Sequence, residues 1–407
     1  MSRAGQKMLA ATLLLALGTT YYIDPVQGDD HALGNSPAAA WRSFGPASRH
    51  RFASGDHLLV STGAFVPGPL ILKSPQNLTI GSFGPGRAQV QGAAGDGIVV
   101  EGGTGLRIEN LTLTGAGRNA NDGTGVALLG CDEASLSNLD VSGFRKNGIQ
   151  VNGCSKALIE HCFSHANGNA GIEVIGGYGL PRSKDVTIRD CRAVDNPGDP
   201  KNLTNHSGNG IVVGGVDGCL VEFCEAANNG WDMPRKGNGP VGIWAWNASK
   251  VTIQHCISHD NKSPGTDGGG FDFDGGVTDS VLQYNLSYGN VGAGWLLCQY
   301  EGAAPWHDNI VRGNVSYHDG LGNFNSGLAL YLPDGMHNMS GALIENNLII
   351  NPDHAVSTMG HVPGVLFRNN TFVTGKDTLS FEGGRPGFDR SQFVENAAWS
   401  PQQALPI

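Results

Sequence analysis

GIQV at residues 148–151 and GIEV at residues 171–174 are two copies of one phrase that recurs along this chain. In each copy a glycine precedes apolar residues that alternate with other residues, which is the two-residue period of a β-strand. The copies lie 23 to 39 residues apart and begin at Gly97, Gly125, Gly148, Gly171, Gly210, Gly242, Gly270, Gly294 and Gly327. The chain is therefore built from short, strand-forming repeats.

A second phrase follows the first and places cysteine or asparagine at one fixed position. It reads LIEHC up to Cys162 and TIRDC up to Cys191. In successive repeats this position is taken by Cys162, Cys191, Cys224, Cys256, Asn285, Asn314, Asn347 and Asn370. Five residues later a second polar position recurs, occupied by Asn167, Asn196, Asn229, Asn261, Asn290 and Asp319. Each repeat thus has two strands joined by polar turns.

A repeat of this size cannot bury a core alone, but copies stacked on each other can. Asparagines at equivalent turns would then hydrogen-bond to each other and to open backbone groups. No helix-period segment separates the strands, so they are expected to be parallel. The sequence predicts an all-β fold, a parallel β-helix of about eleven coils and about 50 Å length, at about 4.8 Å per coil. An N-terminal cap and long loops on one face complete the prediction.

The composition agrees with a repetitive β architecture. Glycine accounts for 62 of 407 residues and charged residues for only 15%. Hydrophobic residues make up 40%, which is enough for a large core and excludes a disordered chain. The formal net charge is −10 and no basic tract is present, so a nucleic-acid partner is not expected.

The N-terminus has the features of a signal peptide. Arg3 and Lys7 precede a short apolar run that ends at a small-x-small cleavage pattern, Ala16-Leu17-Gly18. Ten apolar residues cannot span a bilayer, so stable membrane insertion is not expected. We predict a signal peptide at 1–18, an N-terminal strand and cap at 19–55, the β-helix at 56–395 and a C-terminal tail at 396–407. The mature protein is expected to be secreted or periplasmic.

The eight cysteines would ordinarily suggest disulfides in an exported protein. The register instead predicts that Cys162, Cys191, Cys224 and Cys256 stack inside the coil as small apolar residues. Cys131 and Cys154 also align one coil apart, where a bridge stays open as an alternative.

The outward positions of the GIxV strands contain the strongest indication of chemistry. Trp244 and Trp246 face outward, and Asp272 and Asp274 face outward one coil later. An exposed tryptophan favours a sugar ring as its partner, because apolar surface of this size needs a cover. The two aspartates have α-carbons about 6.7 Å apart and suit acid–base cleavage of a glycosidic bond. Their repulsion would raise one pKa.

Long loops at 231–239 and 300–309 are expected to flank this surface. The catalytic candidates are Asp272, Asp274, Glu301 and His307. The substrate-binding candidates are Trp244, Trp246, Glu173, Trp231, Arg235, Lys236, Trp306 and Tyr331. A competing interpretation is a calcium site formed by Asp267, Asp272 and Asp274, with Asp279 close by.

The repeats and the lead-in YYIDPVQGDD…SPAAAWRSF, from Tyr21 to Phe44, resemble the right-handed parallel β-helix proteins of the pectate-lyase-like superfamily. The resemblance covers nearly the whole mature chain and implies the fold. It does not imply one reaction, since the superfamily includes lyases, hydrolases, epimerases and esterases. The polygalacturonase set (NTD, DD, GHG, RIK) and the DPHE motif of mannuronan epimerases are absent. No catalytic residue is therefore carried over.

Three functions follow from these features. The first is an exported glycoside hydrolase that uses the aspartate pair on a polysaccharide or oligosaccharide and requires no cofactor. The second is a polysaccharide lyase with Lys236, Arg235 or His307 as base and Ca²⁺ on the aspartates. The third is a non-catalytic glycan-binding β-helix. The sequence does not fix the oligomeric state.

Overall fold

The computed structural model of the protein describes residues 18–177, 179–333, 335–360, 364–381 and 391–400. Except for Gly18, the predicted signal peptide lies outside the described residues, as do residues 401–407 of the predicted tail. Within the described ranges, helices are too short and too polar to cross a bilayer.

Three long parallel sheets wind around one core, and they confirm the predicted parallel β-helix. We call them sheets I, II and III. Sheet I consists of Thr20–Ile23, His57–Ser61, Thr79–Phe83, Arg107–Glu109, Ser135–Ser137, Leu158–Glu160, Ser183–Arg189, Val216–Glu222, Ser249–Gln254, Val281–Gln283, Ile310–Arg312, Leu343–Glu345, Leu366–Arg368 and Gln392–Val394.

Sheet II contains the GIxV phrases. Its strands are Leu70–Lys73, Ile98–Glu101, Val126–Leu129, Asn147–Asn152, Ala170–Ile175, Asn209–Gly214, Ile243–Trp246, Phe271–Phe273, Trp295–Cys298, Ser326–Leu332, His354–Gly360 and Leu379–Phe381. Sheet III consists of Phe65–Pro67, Ala88–Ala93, Leu111–Gly115, Asp140–Ser142, Phe163–His165, Arg192–Val194, Glu225–Ala227, Ile257–His259, Leu286–Tyr288, Val315–Tyr317, Leu348–Asn351, Thr371–Thr374 and Ala397–Trp399. The segment predicted as a tail therefore begins with a strand.

Among the described residues, sheet II has twelve strands, one more than the predicted number of coils. The glycine phrases account for nine of them. The strands Leu70–Lys73, His354–Gly360 and Leu379–Phe381 have no such phrase, so the phrase alone does not reveal every coil.

The N-terminal segment covers the open end of the coil. Its strand Thr20–Ile23 pairs with His57–Ser61 and extends sheet I. A 3₁₀ turn at Pro37–Ala39 leads to the α-helix Phe44–Arg49, whose N-cap Ser43 accepts a hydrogen bond from the Gly45 N–H. The buried side chains of Trp41 and Phe44 shield the first coils from water.

The inward positions form a continuous stack of apolar side chains. Ile98, Val126 and Ile149 are register partners on successive strands of sheet II and are fully buried. All eight cysteines are free thiols. Cys162, Cys191, Cys224 and Cys256 are buried at equivalent positions of successive coils, and each Sγ donates to a backbone carbonyl oxygen of the preceding coil at 3.6 to 3.7 Å. The predicted thiol stack is therefore confirmed.

Buried asparagines connect the coils at the turns. The Asn347 Nδ2 donates to Val311 O at 2.9 Å and to Asn370 Oδ1 at 3.0 Å. Its Oδ1 accepts from the backbone N–H and the amide of Asn314 at 2.9 and 3.0 Å. Each such residue satisfies backbone and side-chain groups that no water can reach.

Replacing Asn347 with Ala is expected to destabilise the fold by about 3 kcal/mol, because several buried groups lose their partners at once. Thermal unfolding followed by circular dichroism would measure the change. Asn346→Gly is a suitable control, since Asn346 is the exposed neighbour and has a φ of +55° that glycine adopts freely. Equal melting temperatures for the two variants would contradict a stabilising role for the buried asparagines.

Candidate functional site

The outward column of sheet II is covered in the middle coils. Trp244, Asp272 and Leu296 are register partners on three adjacent strands. Their exposed fractions are only 4%, 3% and 4%. The expectation that Trp244 and Asp272 are solvent-exposed is therefore wrong. The physical reason is that loops at 198–208, 230–240 and 263–269 fold across the outer face of the sheet.

These loops enclose a cavity of about 650 Å³, which is within the usual range for small-molecule sites. The wall combines aromatic side chains, three aspartates and small polar groups. The lining residues are Asn205, His206, Asn238, Gly239, Val241, Trp244, Trp246, Thr266, Asp267, Asp272, Asp274, Leu296, Cys298, Tyr300, Phe324, Tyr331 and Met359. An aromatic and acidic wall of this kind suits a sugar.

The loop at 263–269 holds Asp267 against the opposite wall. The Gly239 N–H donates to Asp267 Oδ2 at 2.7 Å. The Asn323 Nδ2 donates to the carbonyl oxygens of Gly265 and Asp267 at 2.8 and 3.0 Å. Asp267 also has a φ of +58°, a left-handed conformation that aspartate tolerates better than most residues. The carboxyl group is thus positioned by backbone contacts.

The three aspartates of the cavity differ in acidity. Burial raises the pKa of Asp267 to about 7, and the nearby Asp274 carboxylate adds to this increase. Burial also raises the pKa of Asp274 to about 6, although hydrogen bonds from Cys298 and the Gly275 N–H oppose the increase. Burial and the two other carboxylates hold the pKa of Asp272 well above its ordinary value. The site therefore contains carboxyl groups that change charge near neutral pH.

Asp272 is the most enclosed of the three carboxyl groups. Its Oδ1 is buried and makes no hydrogen bond within the protein. An ionised carboxylate without a partner is costly in such a place, so these surroundings favour the protonated form of Asp272.

The two tryptophans have different environments. The Trp244 Nε1 donates to Asn209 Oδ1 at 3.1 Å, and the His206 ring packs edge-on against the indole at 5.1 Å. Trp246 is half-buried and lies over Gly214, where a Cβ would approach the Trp246 Nε1 to 2.3 Å. Glycine at position 214 is therefore what allows Trp246 to lie against the sheet.

Comparison with known proteins identifies the family. The profile of the right-handed β-helix region matches residues 87–199 and 201–372. The chain belongs to the right-handed β-helix family. One curated relative, a lacto-N-biosidase of Bifidobacterium longum, is 28% identical over 171 residues. This match spans 40% of the present chain but only 10% of the relative.

Two solved β-helix structures are also similar. The GH136 lacto-N-biosidase from Eubacterium ramulus has a TM-score of 0.65 at 18% identity, covering 93% of this chain and 67% of the other. The catalytic unit of a GH87 α-1,3-glucanase from Streptomyces thermodiastaticus has a TM-score of 0.63 at 15% identity, covering 85% and 64% of the two chains. At these identities the likeness establishes the fold.

The β-helix brings part of the predicted site together. Trp244, Trp246, Asp272, Asp274 and Tyr331 all line the cavity, as the strand register predicted. The structure adds Asp267, which sequence analysis had assigned only to calcium.

The loop residues near the cavity do not all face it. Arg235 hydrogen-bonds to the Asn238 side chain at 2.6 Å, and Lys236 is exposed; neither lines the cavity. Trp231 is 50% exposed, with the Arg118 guanidinium 5.8 Å from its ring centroid. Their role as substrate contacts stays a prediction.

Glu173 and Asp272 occupy equivalent positions three strands apart in sheet II, about 14 Å from each other. Glu173 lies outside the cavity lining. Its carboxylate accepts hydrogen bonds from Asn147 at 2.8 Å and from Gln150 at 2.7 Å. Burial raises its pKa. It therefore belongs to a separate polar cluster on the same face.

Trp306 does not form part of the surface. It is fully buried, and its Nε1 donates to the Phe273 carbonyl oxygen at 2.9 Å. The prediction that Trp306 binds substrate is wrong, because the residue pairs with Met339 in a turn whose side chains face the core.

Glu301 and His307 also lie outside the cavity lining. Glu301 is exposed in the loop after Tyr300. His307 lies in the turn that leads to sheet I, where its Nδ1 contacts Asp308 Oδ2 at 2.8 Å. The geometry does not place either side chain beside the aspartates.

The predicted calcium ligands do not form one compact group. Within the described part of the chain, only Asp279, His307 and Asp308 bring three such ligand atoms within 4.8 Å of one another. Asp267, Asp272 and Asp274 lack this arrangement, and Asp279 lies apart from them.

Proposed function

We propose that this protein is a glycoside hydrolase that cleaves a neutral saccharide in the sheet II cavity. The observation that carries the proposal is a pair of carboxyl groups, Asp267 and Asp274, with pKa values of about 7 and about 6 in the wall of a 650 Å³ aromatic cavity. Hydrolysis of a glycosidic bond uses two such groups, one protonated and one ionised.

The two roles follow from the two environments. Asp267 has the higher pKa and keeps its proton near neutrality, so it donates that proton to the glycosidic oxygen as the sugar leaves. Asp274 accepts hydrogen bonds from Gly275 and Cys298, which favour its ionised form. It stabilises positive charge at the anomeric carbon and takes up a proton from the water that adds there. Proton exchange with solvent then restores both groups.

Asp272 fits a supporting role better than that of the acid. Its side chain is only 3% exposed and its Oδ1 is buried, so Asp272 is less accessible to a glycosidic oxygen than Asp267 or Asp274. When protonated, it keeps a further negative charge out of the cavity.

The wall chemistry favours a neutral sugar over a uronate. None of the described residues that line the cavity is lysine or arginine. A lyase needs a cationic group or a metal to neutralise the uronate carboxylate, and the ionised Asp274 would repel that substrate. Hydrolysis is therefore better supported than elimination.

Two of the similar proteins have names in this reaction class. The relative from Bifidobacterium longum is a lacto-N-biosidase and the Streptomyces neighbour is an α-1,3-glucanase. Both names describe glycosidases. Export to the periplasm or medium also belongs to the proposal, and its support is the N-terminal signal-like segment of the sequence.

The direct test is product analysis on a defined panel. The purified protein would be incubated with p-nitrophenyl lacto-N-bioside and with α-1,3-glucan, with and without EDTA. We expect release of p-nitrophenol or reducing sugar, no unsaturated product in the ultraviolet, and no effect of the chelator. An unsaturated product from a uronate polymer would support the lyase instead. Binding without any cleavage would support a non-catalytic β-helix.

Replacing Trp246 with Ala is expected to raise KM about tenfold, with a smaller change in kcat, because a half-buried indole provides apolar contact for a sugar ring. The melting temperature should change little, since the ring lies outside the coil. Steady-state kinetics on the substrate cleaved best would measure the change. Trp231→Ala is the control, since Trp231 is exposed but lies outside the cavity. An unchanged KM in Trp246→Ala would contradict a sugar platform here.

A further inference from the structure

The orientation of the Asn209 side-chain amide is fixed by its neighbours. The Trp244 indole N–H and the Val241 backbone N–H both approach one atom of this amide, at 3.1 and 3.3 Å. Both groups only donate hydrogen bonds, so the atom between them must be the oxygen. The Asn209 nitrogen then lies on the other side, where it contacts His206 Nδ1 at 3.2 Å.

This orientation decides where His206 carries its proton. An amide nitrogen only donates, so His206 Nδ1 must accept with its lone pair. The single proton of the neutral ring is therefore on Nε2. Burial lowers the pKa of His206 to about 4, and the Arg235 charge acts in the same direction, so the ring is neutral at working pH.

His206 lines the same cavity as the three aspartates, and its Nε2 has no hydrogen-bond partner among the described residues. The edge-on contact with Trp244 and the bond from Asn209 hold the ring in place. The geometry points to His206 as a substrate-binding residue whose Nε2–H donates to a neutral acceptor oxygen of the saccharide.

This inference rests on the proposed function for the identity of the ligand, but the proton position does not depend on it. A fixed donor recognises a hydroxyl, ring or carbonyl oxygen and rejects a sugar that lacks the oxygen at that place. His206 would thus add specificity to a site whose other polar groups are mainly acidic.

The first test is the tautomer itself. Nitrogen-15 NMR of histidine-labelled protein, with His206→Phe used for assignment, would report the protonation of each ring nitrogen at neutral pH. We expect an unprotonated Nδ1 and a protonated Nε2. A ring protonated on Nδ1, or on both nitrogens, would overturn the inference whether or not the protein hydrolyses sugars.

The second test separates the two nitrogens by substitution. His206→Gln places an amide near the Nε2 position and keeps a donor toward the cavity, whereas His206→Asn places one near Nδ1 and keeps only the contact with Asn209. We expect His206→Asn to raise KM about tenfold with kcat nearly unchanged, and His206→Gln to retain most of the affinity. A purely structural role would instead make His206→Asn the milder change.

The outcomes distinguish this inference from the proposed reaction. If the native protein cleaves no substrate of the panel, the proposed hydrolase activity is wrong. Calorimetric measurement of the binding of lacto-N-biose and of α-1,3-linked glucose oligomers then tests the role of His206. Weaker binding in His206→Asn than in His206→Gln would support it. Equal binding in both variants and the native protein, or no binding to the native protein, would overturn it.

Discussion

Replacing Asp274 with Asn is expected to lower kcat by about 10²–10⁴-fold, which is the contribution of a general acid or base. The substitution is nearly isosteric, and the remaining side-chain oxygen can still accept from the Gly275 N–H, so the fold should persist. Azide should partly restore turnover, because it replaces the attacking group that the lost carboxylate would have activated. Initial rates on the best substrate of the panel, with circular dichroism as a check on folding, would measure this.

Asp267→Asn is expected to cause a loss of the same size but with a different substrate dependence. A leaving group such as p-nitrophenol needs no proton, so its glycosides should be cleaved at nearly native rates, while natural linkages should not. Asp272→Asn should lower kcat less than tenfold, because this side chain is the most enclosed of the three and has neither the acid nor the base role. If Asp272→Asn instead shows the leaving-group dependence, the acid is Asp272, one member of the acid–base pair that the sequence predicted.

The pH profile follows from the same two groups. Activity requires an ionised Asp274, with a pKa of about 6, and a protonated Asp267, with a pKa of about 7. The rate should therefore rise with pH through about 6 and fall again above about 7. Because the two carboxyl groups interact, the apparent pKa values of the rising and falling limbs describe the pair and not single residues. Asp267→Asn should remove the alkaline limb on p-nitrophenyl glycosides.

Glu301→Gln and His307→Gln are matched controls for the aspartate variants. Both residues were catalytic candidates in the sequence, and both lie outside the cavity lining. Near-native rates are expected for both. A loss of several orders of magnitude in either variant, with Asp267→Asn and Asp274→Asn active, would move the site to the 300–309 loop and favour the lyase.

The sequence predicted the strand-borne part of the site because strand register is encoded in apolar alternation. Once Ile243 and Ala245 are assigned to the core, Trp244 and Trp246 must face outward. The same reasoning places Cys298 beside Tyr331 on the outer face, and both line the cavity. One period of two residues thus determines which face each side chain occupies.

Loop length predicted that long loops flank this surface, but the conformation of those loops could not be predicted, because it follows no sequence period. Nothing in the segment around His206 or Asp267 reveals that it crosses the outer face and buries Trp244 and Asp272. The position of Trp306 in the core likewise depends on a turn whose register with Met339 appears only in three dimensions. Hydrophobic character alone does not distinguish a core tryptophan from a sugar platform.

Replacing Asp319 with Asn is expected to stabilise the protein by about 3 kcal/mol above pH 6. Asp319 occupies the turn position that Asn290 and its equivalents hold in the preceding coils, and it is 1% exposed. Burial raises its pKa from 3.8 to about 6. A change of that size corresponds to about 3 kcal/mol of folding free energy. Asn fits the place, since its amide would face Ser316 as the Asn290 amide faces Ser287 Oγ at 3.0 Å.

The sign of this effect gives it a distinctive pH dependence. Between pH 4 and pH 6 the folded chain keeps the Asp319 proton that the unfolded chain has lost, so the stability of the native protein decreases as pH rises through this range. The asparagine variant has no carboxyl group at this position, so it does not show this pH-dependent loss of stability. The two proteins should therefore unfold alike below pH 4, diverge between pH 4 and 6, and keep a constant difference above pH 6.

Urea unfolding at a series of pH values would test this dependence, with Asp308→Asn as the control because Asp308 is exposed. The control should show no such divergence. The gain in stability should come without loss of activity, since Asp319 lies outside the cavity lining. If Asp319→Asn were less stable than the native protein at neutral pH, Asp319 would have to be ionised in the fold, held by its bonds from Asn290 and Ser316. Burial would then not dominate its pKa, and the same argument for Asp267 and Asp274 would lose its physical basis.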